Sequence, residues 1–154
     1  MASFIFNVWK KELAKGTYRW NTNSDAAGGV YQIAQSKIVM SAGTYEDVDT
    51  VAAATSAGAW EYGSTRTSLA NVDVKADADT NNRAELDADD TTVSSLAADG
   101  SNKVEGILLY VKPNGTSADS AYIPAVFFDL ASPFYGNSSN VTFVWDSVGL
   151  VTLT

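Results

Sequence analysis

The chain of 154 residues is predicted to be mainly β, a β-sandwich or flattened barrel of about 8–10 strands preceded by one short N-terminal helix. Three observations lead there. Apolar residues recur with a period of two over much of the chain, as in Ala84, Leu86 and Ala88 or Val141, Phe143 and Trp145. Turn signals rich in Gly, Asn, Asp and Pro punctuate the sequence about every ten residues. Cysteine is absent, so stability must come from packing or oligomerisation, and hydrophobic residues at 45% are sufficient to build a core. The expected organisation is a helical arm over residues 1–16 and a single β-sandwich domain over 17–154.

The helix comes first. Phe4, Val8 and Leu13, with Phe6 and Trp9 between them, fall at helical spacing, while Lys10, Lys11 and Glu12 fill the opposite side. This predicts a helix over 4–15, with Ser3 as a candidate N-cap and Gly16 as its stop. The aromatic stripe must be buried against something. Its own β core is one destination, and a neighbouring subunit reached by an N-terminal arm is the other.

Beyond Gly16 the period shortens. Residues 17–20 read as a short strand and 21–29 as a polar loop. Residues 30–40, with Tyr31, Ile33 and the Ile38-Val39-Met40 run, read as a strand with an irregularity near Gln35 and Ser36. The Ala-, Thr- and Asp-rich stretch 41–58 is too weakly apolar for a strand and is expected to be a long surface loop, with a helical turn around 48–54. Trp60 and Tyr62 alternate before Gly63, and Leu69, Val72 and Val74 continue the β pattern. Residues 77–82 form an Asx-rich turn, and 84–89 alternate as a half-buried strand. The strongest strand is 104–111, whose Ile107-Leu108-Leu109-Tyr110 run suits burial on both faces. Pro113-Asn114-Gly115 is a turn, 121–130 a strand in which Pro124 demands an edge position or a bulge, and 137–140 a further turn. Residues 141–145 and 148–153 complete the sheet.

Composition restricts function sharply. With no histidine and no cysteine, the chain lacks the commonest general base, the commonest metal ligand and the most nucleophilic side chain. No convergent catalytic set is legible, and no enzyme activity is expected. The net charge of −8 is uneven: four basic residues against one acidic in the first 19 positions, six against seventeen in the rest. An acidic body repels nucleic acid, so no nucleic-acid partner is expected. No segment reaches the length of apolar chain needed to span a bilayer, no membrane partner is expected, and the start of the chain lacks the order of a secretory leader.

Several local patterns invite chemistry and fail a physical test. Asp77, Asp79 and Asn81 resemble the opening of a calcium loop, but Asn82 stands where Gly is needed and Ala88 where Glu is needed. They remain weak metal candidates, and no metal or other cofactor is expected. Glu12, Glu46, Glu61, Glu85 and Glu105 supply carboxylates, yet no spacing singles out an acid/base pair. Gly28-Gly29 lacks the lysine and third glycine of a phosphate loop. Trp9, Trp20, Trp60 and Trp145 could form a sugar-stacking platform, although packing is the commoner use of such rings.

The order of several short blocks resembles a family of small tailed-bacteriophage virion proteins of the capsid decoration or cement type. The blocks are Phe6-Asn7 followed by a basic helix ending in Lys15-Gly16, Trp60-Glu-Tyr62-Gly63-Ser-Thr-Arg66, Ala84-Glu-Leu86-Asp87-Ala-Asp89-Asp90, Leu108-Leu-Tyr110, Asp119-Ser-Ala-Tyr-Ile-Pro-Ala, and Val141-Thr-Phe-Val-Trp145-Asp-Ser-Val-Gly149. After Trp20 the chain departs from that pattern, with Gly28-Gly29 and a Gln/Ser-containing run. The resemblance implies a non-catalytic protein on the outer surface of the virion head, made in the host cytoplasm. Its partners would be the major capsid protein and further copies of itself, a trimer by preference. Residues 2–20 are the expected contact segment, with Phe4, Phe6, Trp9, Lys10, Lys11, Lys15 and Arg19 as anchors. A tail, neck or fibre component and a carbohydrate-binding module are the alternatives.

Overall fold

Alternation of buried side chains to opposite faces builds a sheet that is covered on both sides. The computed structural model describes residues 3–17, 29–55, 60–76, 84–115, 118–146 and 150–153. In chain order these form β1 (Phe4–Ile5), α1 (Asn7–Ala14), β2 (Val30–Ser36), α2 (Ala42–Tyr45), α3 (Val51–Thr55), β3 (Glu61–Ser68), β4 (Asp73–Ala76), β5 (Ala84–Asp87), β6 (Thr91–Val93) and β7 (Val104–Lys112). A 3-10 turn (Asp119–Ala121), β8 (Ile123–Phe134), β9 (Val141–Phe143) and β10 (Val151–Leu153) follow. The principal sheet is antiparallel throughout, in the order β1-β8-β7-β2-β3. Two smaller sheets, β10-β5-β4 and β6-β9, supply the second layer of a mainly β sandwich.

On β2 and β7 the side chains of Tyr31, Ile33, Ile107, Leu109 and Val111 point to one core. Leu86, Val93, Leu96 and Val151 of the second layer close it. The alternate residues Ala34, Leu108 and Tyr110 point the other way, into a second core with Phe6, Met40, Val51, Trp60 and Tyr122. The apolar run of β7 is therefore buried on both faces, as its composition predicts. The stretch 41–58, expected as a surface loop with a helical turn around 48–54, carries that turn as α3 and a further short helix, α2, with Val51 and Ala54 fully buried. Alanine and threonine are small enough to lie flat on the sheet, so little apolar bulk is needed there.

Both predicted irregularities are present. The β2–β3 ladder shifts register between Ala34 and Ser36. The β7–β8 ladder pairs Leu109 with Val126 but Tyr110 with Pro124, leaving Ala125 as the extra residue of a bulge. Ala125 and its neighbour Val126 consequently both face the first core. Pro124 offers no N–H to a ladder, which is why the disruption falls there.

The helix is shorter than its sequence pattern. Phe4 and Ile5 pair with Phe127 and Val126 as strand β1, so α1 begins only at Asn7, with Phe6 at the N-cap position. Ser3 does not cap it; its hydroxyl accepts the Asp129 N–H at 3.1 Å. Gly16 ends the helix as expected, at φ +69°. The Gly16 N–H donates to Leu13 O at 2.9 Å and the Thr17 N–H to Glu12 O at 3.0 Å, the two bonds of a Schellman stop. Residues 3–17 are thus stitched into the sandwich edge and are no detached arm. The strand expected over 17–20 and the turn over 77–82 lie outside the described residues, apart from Thr17.

Candidate functional site

The amphipathic design of α1 decides which of the expected contact residues reach the surface. Phe6 and Trp9 are fully buried, Phe6 in the second core and Trp9 in the first, and Val8 is buried beside Phe6. Phe4 is half-buried, its ring 4.9 Å from that of Phe6 and 5.9 Å from that of Phe127. These aromatics fix α1 to its own molecule, which corrects their expected role as docking anchors: the stripe enters the chain's own core. Arg19 lies outside the described residues, as do Asp77, Asp79 and Asn81.

What α1 presents outward is polar. Asn7, Lys10, Lys11, Ala14 and Lys15 are exposed. Asn7 Nδ2 donates to Asp47 at 2.7 Å and its N–H to Glu46 O at 2.8 Å, so the end of α2 satisfies the start of α1. Lys10 Nζ donates to Asn7 Oδ1 at 2.9 Å, and Lys15 pairs with Glu12 at 3.0 Å. Hydrogen bonds from Lys15 and Thr17 hold the Glu12 carboxyl below the ordinary glutamate range. Among the described residues, neither Lys10 nor Lys11 forms an ion pair at contact distance, although the Lys11 charge also favours the Glu12 carboxylate.

A second cluster has no signal in local sequence. Arg66 on β3 grips Glu61 through Nε and Nη2, each at 2.8 Å, and Asp119 through Nη1 at 2.6 Å and Nη2 at 2.9 Å. Its guanidinium carbon sits 5.6 Å from the Tyr110 ring centre and 5.8 Å from that of Tyr122, and the two rings stack 5.5 Å apart. The Tyr110 hydroxyl donates to Gln32 Oε1 at 2.9 Å. Burial pushes the Tyr110 hydroxyl well above the ordinary tyrosine range, and the Arg66 hydrogen bond holds the Asp119 carboxyl below the ordinary aspartate range. The side chains of Arg66, Glu61 and Asp119 are 23%, 21% and 32% exposed. The carboxylates are saturated by one arginine, an arrangement suited to bracing: it ties β3 to the 3-10 turn, and Tyr122 O accepts the Val51 N–H at 2.9 Å where α3 begins.

Tyr62 is a second brace. Its buried hydroxyl donates to Ala97 O at 2.9 Å and accepts the N–H groups of Asp99 at 3.1 Å and Gly136 at 3.0 Å. The β6–β7 and β8–β9 loops meet at that one oxygen.

The tryptophans do not form a sugar platform among the described residues. Trp9 and Trp60 are fully buried. Trp145 is half-buried against Phe128 and Phe143, and its indole N–H donates to Asp89 O at 3.0 Å. No group of three or more acidic residues is placed to hold a metal ion among the described residues, and no described helix is long and apolar enough to cross a membrane. Compared with known protein families, curated proteins and solved structures, the chain matches none.

Proposed function

We propose that this protein works by surface contact, as a structural component of a tailed-phage virion that decorates the head and clamps neighbouring major capsid subunits. The observation that carries the reading is a rigidly seated helix with a basic outer face on an otherwise acidic molecule. Phe6 and Trp9 lock α1 in place, while Lys10 and Lys11 are exposed on its outer face. A fixed, oppositely charged patch steers association and sets register, and repetition around a capsid multiplies weak contacts through effective concentration.

The resemblance to decoration proteins supports the same reading. Two of its blocks, 60–66 and 119–125, lie far apart in sequence yet meet at the Arg66–Asp119 pair. A test is co-sedimentation with empty heads of the encoding phage. Wild-type protein is expected to pellet with heads, and Lys10→Glu/Lys11→Glu to bind at least about tenfold more weakly. Wild-type protein that ignores the heads would overturn the reading.

A further inference from the structure

We infer that the turn after β7 is a site of covalent self-modification, where the Gly115 backbone nitrogen attacks the Asn114 side-chain amide and converts Asn114 to aspartate and isoaspartate. Of the asparagines in the chain, Asn114 alone is followed by glycine. The Pro113-Asn114-Gly115 turn directly follows Lys112, the last residue of β7, and both Asn114 and Gly115 are exposed. No hydrogen bond joins the Asn114 side chain or the Gly115 N–H to another described residue. Gly115 has no Cβ, and no described atom lies within 4 Å of where one would stand, so a five-membered ring closes there unobstructed. Water is the only co-reactant. The Gly115 nitrogen bonds to Asn114 Cγ, the bond from Cγ to Nδ2 breaks, and the displaced proton passes through water to the departing nitrogen, which leaves as ammonia. Nothing is oxidised or reduced. Water then opens the succinimide at one of its two carbonyl carbons. Attack at Cγ restores the normal backbone and gives aspartate; attack at the main-chain carbon leaves the backbone running through the side chain, as isoaspartate. Both products carry a carboxylate that Asn114 lacks, and isoaspartate adds a methylene to the backbone of the turn.

Hydrogen bonding protects the comparable sites. Asp99-Gly100 is the corresponding aspartyl pair, but Asp99 Oδ1 accepts the N–H groups of Ser101 at 2.9 Å and Asn102 at 3.1 Å, and Oδ2 accepts Asn102 Nδ2 at 2.7 Å. Those bonds, that from the Asn102 side chain foremost, hold the Asp99 carboxyl below the ordinary aspartate range. A carboxylate is a far poorer electrophile than an amide. Asn137 precedes the small Ser138, yet its Oδ1 is held by the Ser139 N–H at 3.1 Å. Asn114 combines exposure, an unrestrained side chain and a glycine neighbour. The flanks of its turn are anchored separately, Lys112 opposite Val30 in the β2–β7 ladder and Asp119 on Arg66. Modification is therefore confined to the tip and leaves the fold intact.

Peptide mapping by mass spectrometry of the folded protein, aged in neutral buffer, provides the test. Peptides that contain Asn114 are expected to convert with time to a mixture of aspartate and isoaspartate, while those that contain Asp99 or Asn137 stay unmodified. On ion exchange, aged wild type should gain a more acidic species and keep its thermal midpoint. Asn114→Gln should lose that species entirely, because the longer side chain would have to close a six-membered ring. The same thermal midpoint in fresh Asn114→Gln and fresh wild type shows that the variant is folded. Asn114 that stays intact, or that changes only after Asp99 or Asn137 has done so, would overturn the inference. Aspartate without isoaspartate would overturn it too, since direct hydrolysis of the side-chain amide gives that product with no ring.

Discussion

Four of the five N–H groups of Arg66 are donated to Glu61 and Asp119, a geometry that only a planar guanidinium can satisfy. Lysine would keep the charge but lose the paired forks, so Arg66→Lys is expected to cost about 1–3 kcal/mol in urea unfolding, and Arg66→Met somewhat more because it strands two carboxylates. The pH dependence follows from Asp119. Its native pKa is depressed, so its contribution is complete above the unfolded value near 3.8 and fades as pH falls through the lower native value. Wild type should therefore lose stability below about pH 4 more steeply than Arg66→Met, which has no pair left to lose. Coincident acid limbs for the two proteins would contradict the assignment. Gln35 is the opposite case. It is fully buried on β2, and among the described residues neither its amide oxygen nor its nitrogen has a hydrogen-bond partner. An orphaned buried amide costs about 1–3 kcal/mol. The near-isosteric Gln35→Met should raise the urea midpoint, equivalent to about 1–2 kcal/mol. A lower midpoint would mean that the amide is satisfied in solution.

Elements that carry their own punctuation were legible in the sequence. Gly16 stops α1 because the Schellman bonds need a left-handed residue, so Gly16→Ala should lower stability by about 1 kcal/mol, measurable as a shift in thermal midpoint. Pro124 announced its bulge through the N–H it lacks, and the β7 run announced its double burial through unbroken apolar residues. Other elements were set by partners distant in sequence. Phe4 and Ile5 fit the helical stripe, yet β8 offers them a ladder, and pairing at a sheet edge outweighs a propensity of a few tenths of a kcal/mol. α2 was hidden for another reason, and α3 showed only as a helical turn around 48–54. Their Ala- and Thr-rich residues bury little surface each, so no hydrophobic period marks them, although Tyr45 and Val51 pack in the second core. Arg66 gave no local signal, because Asp119 lies 53 positions away along the chain. Gly106 makes the same point about close approach. A Cβ there would clash with the edge of the Phe127 ring and lie 2.8 Å from Phe128 O. Gly106→Ala should therefore cost about 1–3 kcal/mol through overpacking, visible in the same melts.

At the scale of the molecule, the sequence marks residues 2–20 for contact, and the fold leaves a smaller set of their side chains at the surface than the pattern suggests. An amphipathic stripe states that a face will be buried without stating whose core receives it, and here Phe6 and Trp9 enter the chain's own two cores. Among the described residues of α1, the basic face is what remains at the surface. The same placement changes what removal of the N-terminus does. Deleting residues 2–15 would take away β1 and α1, leave Ala125 O without its Phe6 partner, and open both cores. Losing a buried Phe and a buried Trp costs about 3–5 kcal/mol each, against a total stability of about 5–15 kcal/mol for a domain of this size. The truncated protein is therefore expected to lack a cooperative thermal transition and near-ultraviolet circular dichroism, whereas Lys10→Glu/Lys11→Glu keeps both. A truncated chain that melts cooperatively within about 5 °C of wild type would show that the segment is a separable arm after all, because a loss of this size moves a midpoint much further.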